Sequence, residues 1–128
     1  MQVRNLMKRP LVSVETADSL YEAARRMHEH AIGSVVAQDP SGLVGILTER
    51  DVLRAVAEGT DARRATVADF MTRDLVTAGP NWDVIVAATV MADRRIRHLV
   101  VMEKDRPLGM VSLRDVLSVF LPEQVHQQ

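Results

Sequence analysis

The chain has no cysteine and is nearly without aromatic rings, with one Trp, one Tyr and two Phe among 128 residues. Disulfides, thiol nucleophiles and Cys-ligated metals are therefore excluded, a usage that fits a reducing cytosol. With aromatics at 3% of a sequence that is 47% hydrophobic, the core falls to Val, Leu, Ile, Ala and Met, and a bound base would find few rings to stack on. Neither sign of charge dominates, since 16 Lys and Arg stand against 17 Asp and Glu for a net charge of −1. That balance does not favour nucleic acid or an anionic membrane as a partner. A long apolar run is also missing. The longest uncharged one, Val84 to Ala92, is far short of the roughly 20 residues that cross a bilayer, and the opening MQVRNLMKRP holds no apolar signal core. The expectation is a soluble, cytoplasmic chain about one domain long, rich enough in aliphatics to bury a core.

What the sequence does have is itself twice. With Met7 laid over Met71, an offset of 64, MKRPLVSV matches MTRDLVTA, and Ala23, Ala24 and Met27 match Ala87, Ala88 and Met91. The register holds without a gap through Gly45 and Gly109 to Arg50-Asp51-Val52-Leu53 and Arg114-Asp115-Val116-Leu117. Within each copy the apolar period changes in the same order. Leu11, Val12 and Val14 read as a strand; Leu20, Ala23, Ala24, Met27 and Ala31 recur at helical spacing. Ser34 to Ala37, the turn Asp39-Pro40-Ser41-Gly42 and Leu43 to Leu47 read as a hairpin leading into a helix through Val52, Leu53 and Val56. In the second copy the hairpin turn, Glu103 to Arg106, stops at Pro107.

The fold class is then α/β of the α+β kind, with two pseudo-symmetric β-α-β-β-α repeats packed sheet to sheet, since a unit of roughly 50 residues is marginal alone. The expected division is 1–58 for the first repeat with its N-terminal segment, 59–66 for a polar linker, 67–121 for the second repeat and 122–128 for a C-terminal tail.

Thr48-x-x-Asp51 and Ser112-x-x-Asp115 stand where each last helix begins. The hydroxyl can cap the helix while the carboxylate reaches back, a capping-box variant worth about 1 kcal/mol that implies no ligand. The duplication suggests more. Glu49 has become Leu113 and Ile46 has become Met110, yet glycine, hydroxyl and Asp keep their spacing. Gly45 and Gly109 would let something approach the strand backbone closely. A carboxylate held there could accept hydrogen bonds from two vicinal hydroxyls, as on a ribose, at roughly 1.5–3 kcal/mol each. It would also repel a phosphate from its own helix start, so phosphates should point toward separate cations.

Tandem β-α-β-β-α units, each closing with glycine, two residues, Thr or Ser, two residues and Asp, resemble a pair of CBS domains over about residues 6 to 121. That resemblance implies a module binding adenosine derivatives such as AMP, ADP, ATP, S-adenosylmethionine or NAD in clefts between the repeats. It implies that Asp51 and Asp115 hold ribose hydroxyls, with Thr48 and Ser112 beside ribose or phosphate. The base would sit among aliphatic side chains: Val12, Ser13, Val14, Ile32, Ser34, Val35 and Ile46 from one copy, Val76, Thr77, Ala78, Ile96, Leu99 and Met110 from the other. Where the first copy has Gly33-Ser34 the second has Arg97-His98, and basic residues at this point in the family often contact phosphate. Arg97 or His98 would thus serve the cleft of Thr48 and Asp51, leaving the Ser112 and Asp115 cleft to bind more weakly or to prefer a less charged ligand. The alternative is that Arg94, Arg95 and Arg97 form a solvated run at a helix end.

Other chemistries have less to stand on. His28 and His30, two apart on a helix, point to different sides, so no metal site is expected. No nucleophile with a positioned base and orienting third group can be identified, so the chain is not expected to be an enzyme. The expectation is a sensor that needs no cofactor, takes an adenosyl nucleotide as regulatory ligand, pairs with a second copy through exposed helices near Trp82, and signals to an unidentified regulated protein. The rival is a ligand-independent dimerisation or docking scaffold in which both aspartates only cap.

Overall fold

The structure, a computed structural model, describes residues 1–121; the expected tail, 122–128, lies outside the described residues. It divides into two compact units, one running from Val12 to Leu75 and the other combining Met1–Leu11 with the chain from Val76 onward. They are called here the Asp51 unit and the Asp115 unit.

The Asp51 unit runs β1 (Ser13–Glu15), α1 (Leu20–His30), β2 (Ser34–Asp39), β3 (Gly42–Thr48), α2 (Glu49–Ala57) and a short α3 (Val67–Phe70). The Asp115 unit opens with a 3-10 turn, Val3–Asn5, and continues with β4 (Thr77–Ala78), α4 (Val84–Arg94), β5 (His98–Glu103), β6 (Arg106–Ser112) and α5 (Leu113–Ser118). The order β-α-β-β-α thus recurs as the periodicity requires. Each unit has a three-stranded sheet, β1-β2-β3 or β4-β5-β6, with the first pair parallel and the hairpin antiparallel.

The duplication holds at the level of register. Ser34 faces Thr48 and Ala37 faces Gly45 in one hairpin; His98 faces Ser112 and Val101 faces Gly109 in the other. Both ladders shift register at the same place, after Ala37 and after Val101. Pro107, where the sequence reading ends the turn, lies inside β6 opposite Met102, just past the shift. An edge strand at an irregularity tolerates a residue that cannot donate to the ladder.

The first helices start and stop alike. The Ser19 hydroxyl accepts from the Glu22 amide at 3.0 Å and the Asp83 carboxylate from the Ile85 amide at 2.8 Å, capping α1 and α4. Each ends in a left-handed residue, Ala31 (φ 52°) or Arg95 (φ 57°). Leu20, Ala23 and Met27 of α1 pack with Val14, Val35 and Leu47 of the strands; Val84, Ala87 and Met91 of α4 pack with Ala78, Leu99 and Val111. Trp82, expected as an intermolecular contact, is half-buried against this second core. Its carbonyl accepts from the Val3 amide at 2.8 Å.

The compact units do not follow the sequence repeats. Residues 1–11 belong with the second repeat: Val3 is fully buried in the Asp115 core, and Lys8 exchanges backbone hydrogen bonds with Met110 at 2.8 and 3.1 Å. The polar stretch 59–66 is not a free linker. Ala62 and Ala65 pack on the Asp51 core, and their carbonyls accept from the Tyr21 and Leu20 amides at 3.0 Å each. Beyond it Val67 is fully buried and Thr72 exchanges bonds with Ile46 at 2.9 Å in both directions. Val67 is the counterpart of Val3, and Thr72 of Lys8, at the offset of 64. Each unit is therefore completed by the segment that precedes the other repeat in the chain.

Candidate ligand-binding site

The two aspartates are placed by their helix caps. In the Asp51 unit, Asp51 Oδ2 accepts from the Thr48 amide at 2.8 Å and the Thr48 hydroxyl at 3.1 Å, while that hydroxyl accepts from the Asp51 amide at 3.4 Å. In the Asp115 unit, Asp115 Oδ2 accepts from the Ser112 amide at 3.0 Å, and the Ser112 hydroxyl accepts from the Asp115 amide at 3.1 Å. Both capping boxes form, with Asp in the role of Glu. The residue after each hydroxyl is held as well, the Glu49 amide donating to the Gly33 carbonyl at 2.9 Å and the Leu113 amide to the Arg97 carbonyl at 2.8 Å.

Capping uses one oxygen of each carboxylate. The other, Oδ1, faces a cation at 3.7 Å in both units: the Arg54 guanidinium at Asp51 and the Lys8 ammonium at Asp115. Both aspartate side chains are 13% exposed, sheltered yet reachable. A fixed anion with an oxygen not used by the cap can accept from a sugar hydroxyl without giving up that cap. A third box in the same chain lacks this setting. Asp69 Oδ2 accepts from the Thr66 amide at 3.0 Å, but Asp69 is exposed and the residue three before Thr66 is Arg63, not glycine.

Glycine in the motif serves the chain itself. A Cβ on Gly45 would lie 2.8 Å from the Thr72 carbonyl oxygen and 2.8 Å from Met71 Sδ; one on Gly109 would lie 2.7 Å from the Lys8 carbonyl oxygen. What approaches the strand so closely is the segment preceding the other repeat. The close approach read from the sequence is real, and a protein backbone occupies it.

The residues expected around a base separate by burial. Val14, Val35, Ala78 and Leu99 are at most 3% exposed and belong to the cores of their own units, so their side chains offer a ligand no surface. Ser34 is also buried. Val12, Ser13, Ile32, Ile46, Val76, Ile96 and Met110 are half-buried and Thr77 is exposed. Arg97 is exposed, with its backbone at the Ser112 end of its own unit; His98 is half-buried opposite Ser112. Sequence reasoning missed Lys8 and Arg54. The signal for Lys8 was present, because the repeat alignment sets it over Thr72, but a segment outside any periodic element gave no reason to place it beside Asp115.

Fold and site define a duplicated α+β module with one capped aspartate in each repeat. The chain belongs to the CBS domain family, whose model matches residues 3–58 and 67–122. It is 37% identical over 114 residues to the mitochondrial CBS domain-containing protein CBSX3 of Arabidopsis thaliana, covering 84% of this chain and 55% of that protein. Among solved structures it is similar to the CBS domain protein PAE2072 from Pyrobaculum aerophilum complexed with AMP, with TM-score 0.80, 33% identity, and coverage of 90% of this chain and 89% of that one. It is also similar to the CBS domain pair of MJ0100 in complex with 5′-methylthioadenosine and S-adenosyl-L-methionine, with TM-score 0.85, 28% identity, and coverage of 94% of this chain and 95% of that one.

Proposed function

We propose that the protein is a regulatory module, not a catalyst, that binds an adenosine-containing ligand through ribose hydroxyls on Asp51 and Asp115. The observation that carries this is the division of labour within each carboxylate, with Oδ2 on the cap and Oδ1 left 3.7 Å from a cation. AMP on one relative, and 5′-methylthioadenosine and S-adenosyl-L-methionine on another, support the ligand class. The half-buried aliphatic residues, Ile46 and Met110 among them, suit a base that has no aromatic partner. Arg97 and His98 are proposed phosphate contacts, and Thr48 and Ser112 border the sugar. No helix among the described residues is long and apolar enough to cross a membrane. A cytoplasmic location goes with this reading and is checked by fractionating cells that express a tagged chain. Binding signals by favouring one of the protein's states, to the extent that the ligand binds that state better.

The test is calorimetric titration of nucleotide-stripped protein with AMP, ATP, NAD and S-adenosylmethionine, beside Asp51→Asn and Asp115→Asn. Asparagine keeps an oxygen for the cap amide but loses the charge, so folding stays near that of the parent while each variant loses tenfold or more in affinity at its own site. If none of the four ligands binds, the aspartates are caps alone.

A second reading has its own observation. Each unit leaves an in-register apolar pair exposed, Leu53 and Val56 on α2 at 67% and 60%, Leu117 on α5 and Phe120 just past it at 49% and 57%. Two copies of the chain pair through these side chains. Leu53→Glu with Leu117→Glu should convert a sedimenting dimer to a monomer, and no shift would refute this pairing.

A further inference from the structure

Resting on the ribose reading, we infer that Lys8 makes the Asp115 site select adenosine ligands that carry a negative charge on the 5′ side over uncharged ones. The two sites have a cation at the same distance but not the same kind of cation. Arg54 stands one turn along α2 from Asp51, lies within 4.0 Å of Glu58, and has its guanidinium over the Phe70 ring at 5.6 Å. Its charge is already shared among three neighbours. Lys8 comes from the segment 1–11, and among the described residues Asp115 is the only ion-pair partner of its ammonium. Its side chain is 64% exposed. Thus the Asp115 site has a mobile point charge with donors to spare, anchored at its backbone by the paired hydrogen bonds to Met110.

The repeat supplies an internal control. At the offset of 64 Lys8 is replaced by Thr72, which makes the same pair of backbone hydrogen bonds, with Ile46, and carries no charge. Conversely Arg54 is replaced by Ser118. The cation at Asp115 is not needed to build the fold at this position, because the other unit builds it with threonine. When a ribose hydroxyl takes Asp115 Oδ1, it draws on the acceptor that Lys8 now faces. An uncharged ligand leaves the ammonium with a weakened partner, whereas a 5′-phosphate, an anion within reach of the four-carbon stem, replaces what is lost. This runs against the expectation from sequence that the Ser112 and Asp115 site binds more weakly or prefers a less charged ligand.

The experiment compares AMP with adenosine on full-length, nucleotide-stripped protein as parent, Lys8→Thr, Lys8→Arg and Lys8→Thr/Asp115→Asn. Threonine is the residue the chain already uses at this place in its other unit, so Lys8→Thr should melt within a degree or two of the parent. At the Asp115-dependent site, Lys8→Thr should weaken AMP about tenfold, the scale of one charge-assisted hydrogen bond, and change adenosine less than about twofold. Lys8→Arg should restore the preference, and in the Asp115→Asn background the Lys8 effect should vanish. Equal weakening of AMP and adenosine, or of neither, would overturn the selectivity while leaving the ribose reading intact. No binding of either compound to the parent would overturn both.

Discussion

The Asp51 and Asp115 units are the same machine with different fittings. Their hairpins share a register residue for residue, their first helices begin on capped side chains and end on left-handed residues 64 positions apart, and each buries a valine from the borrowed segment, Val67 or Val3. The differences lie elsewhere. Gly33-Ser34 stands against Arg97-His98, Thr72 against Lys8, and Arg54 against Ser118. What both units retain is what geometry demands: a glycine where two backbones touch, and a hydroxyl and a carboxylate that close a helix. What varies is charge around the carboxylate, the property through which two equally built sites can prefer different ligands.

That comparison can be strained from its core outward. Leu99 and its counterpart Val35 are both fully buried in equivalent places. Truncation to Ala should cost about 2–5 kcal/mol at Leu99 and less at Val35, because fewer methyl groups are removed. Denaturant midpoints with unchanged slopes measure this, and equal losses would show that the two cores relax differently. Next comes the crossing of backbones. Gly45→Ala and Gly109→Ala should each destabilise by about 1–3 kcal/mol through overpacking against the Thr72 or Lys8 carbonyl. Faster amide exchange at Ile46 or Met110 should accompany each, and a silent Gly109→Ala would mean that the segment 1–11 moves aside without cost.

Smaller effects belong to the caps. Thr48→Ala and Ser112→Ala should each lose about 1 kcal/mol, with Thr48 the more costly because its hydroxyl also donates to Asp51 Oδ2 at 3.1 Å. Thermal melts of the two variants rank them; the reverse order would break the argument. The smallest effect is at the hairpin turns. Hydrogen bonds from the Ser41 hydroxyl and amide hold the Asp39 carboxyl below the usual carboxylate range. Its folded pKa is depressed, so its contribution is fully present above the ordinary carboxylate pKa and lost as pH falls through the folded one. Asp39→Asn should therefore flatten a shallow acid-side dependence, followed by melting temperature between about pH 5 and pH 2. The other turn has Glu103 at the matching position, so Glu103→Gln serves as the comparison.

The elements were legible because each announces itself by period: Leu20, Ala23 and Met27 repeat as a helix, Val35 to Leu47 as strands around Pro40 and Gly42. The register followed from the duplication. What could not be read was ownership of the segments. A single bridge such as Lys8 to Met110 or Thr72 to Ile46 leaves no periodic trace, and its one signature, the glycine opposite, is equally consistent with a ligand at close range. The same degeneracy affected the candidate site. Thr48-x-x-Asp51 spells a cap and a ribose clamp in the same letters, and only coordinates separate the oxygen that caps from the one that faces Arg54. Nor does alternation single out the core positions, because Ser34 to Ala37 of β2 and Leu99 to Val101 of β5 are each buried without a break.

Because one unit is continuous and the other is not, the ribosome delivers them unequally. Everything the Asp51 unit needs, Val12 to Leu75, has been polymerised once residue 75 is added. Residues 1–11 are made before the Asp51 unit and used after it, since the strands and helices they complete lie beyond residue 75. At roughly 5–20 residues per second, that leaves Val3 without its pocket for several seconds, while the unit coded next to it already has one of its own in Val67. A nascent chain therefore passes through a stage in which one unit is whole and the other is represented only by residues 1–11.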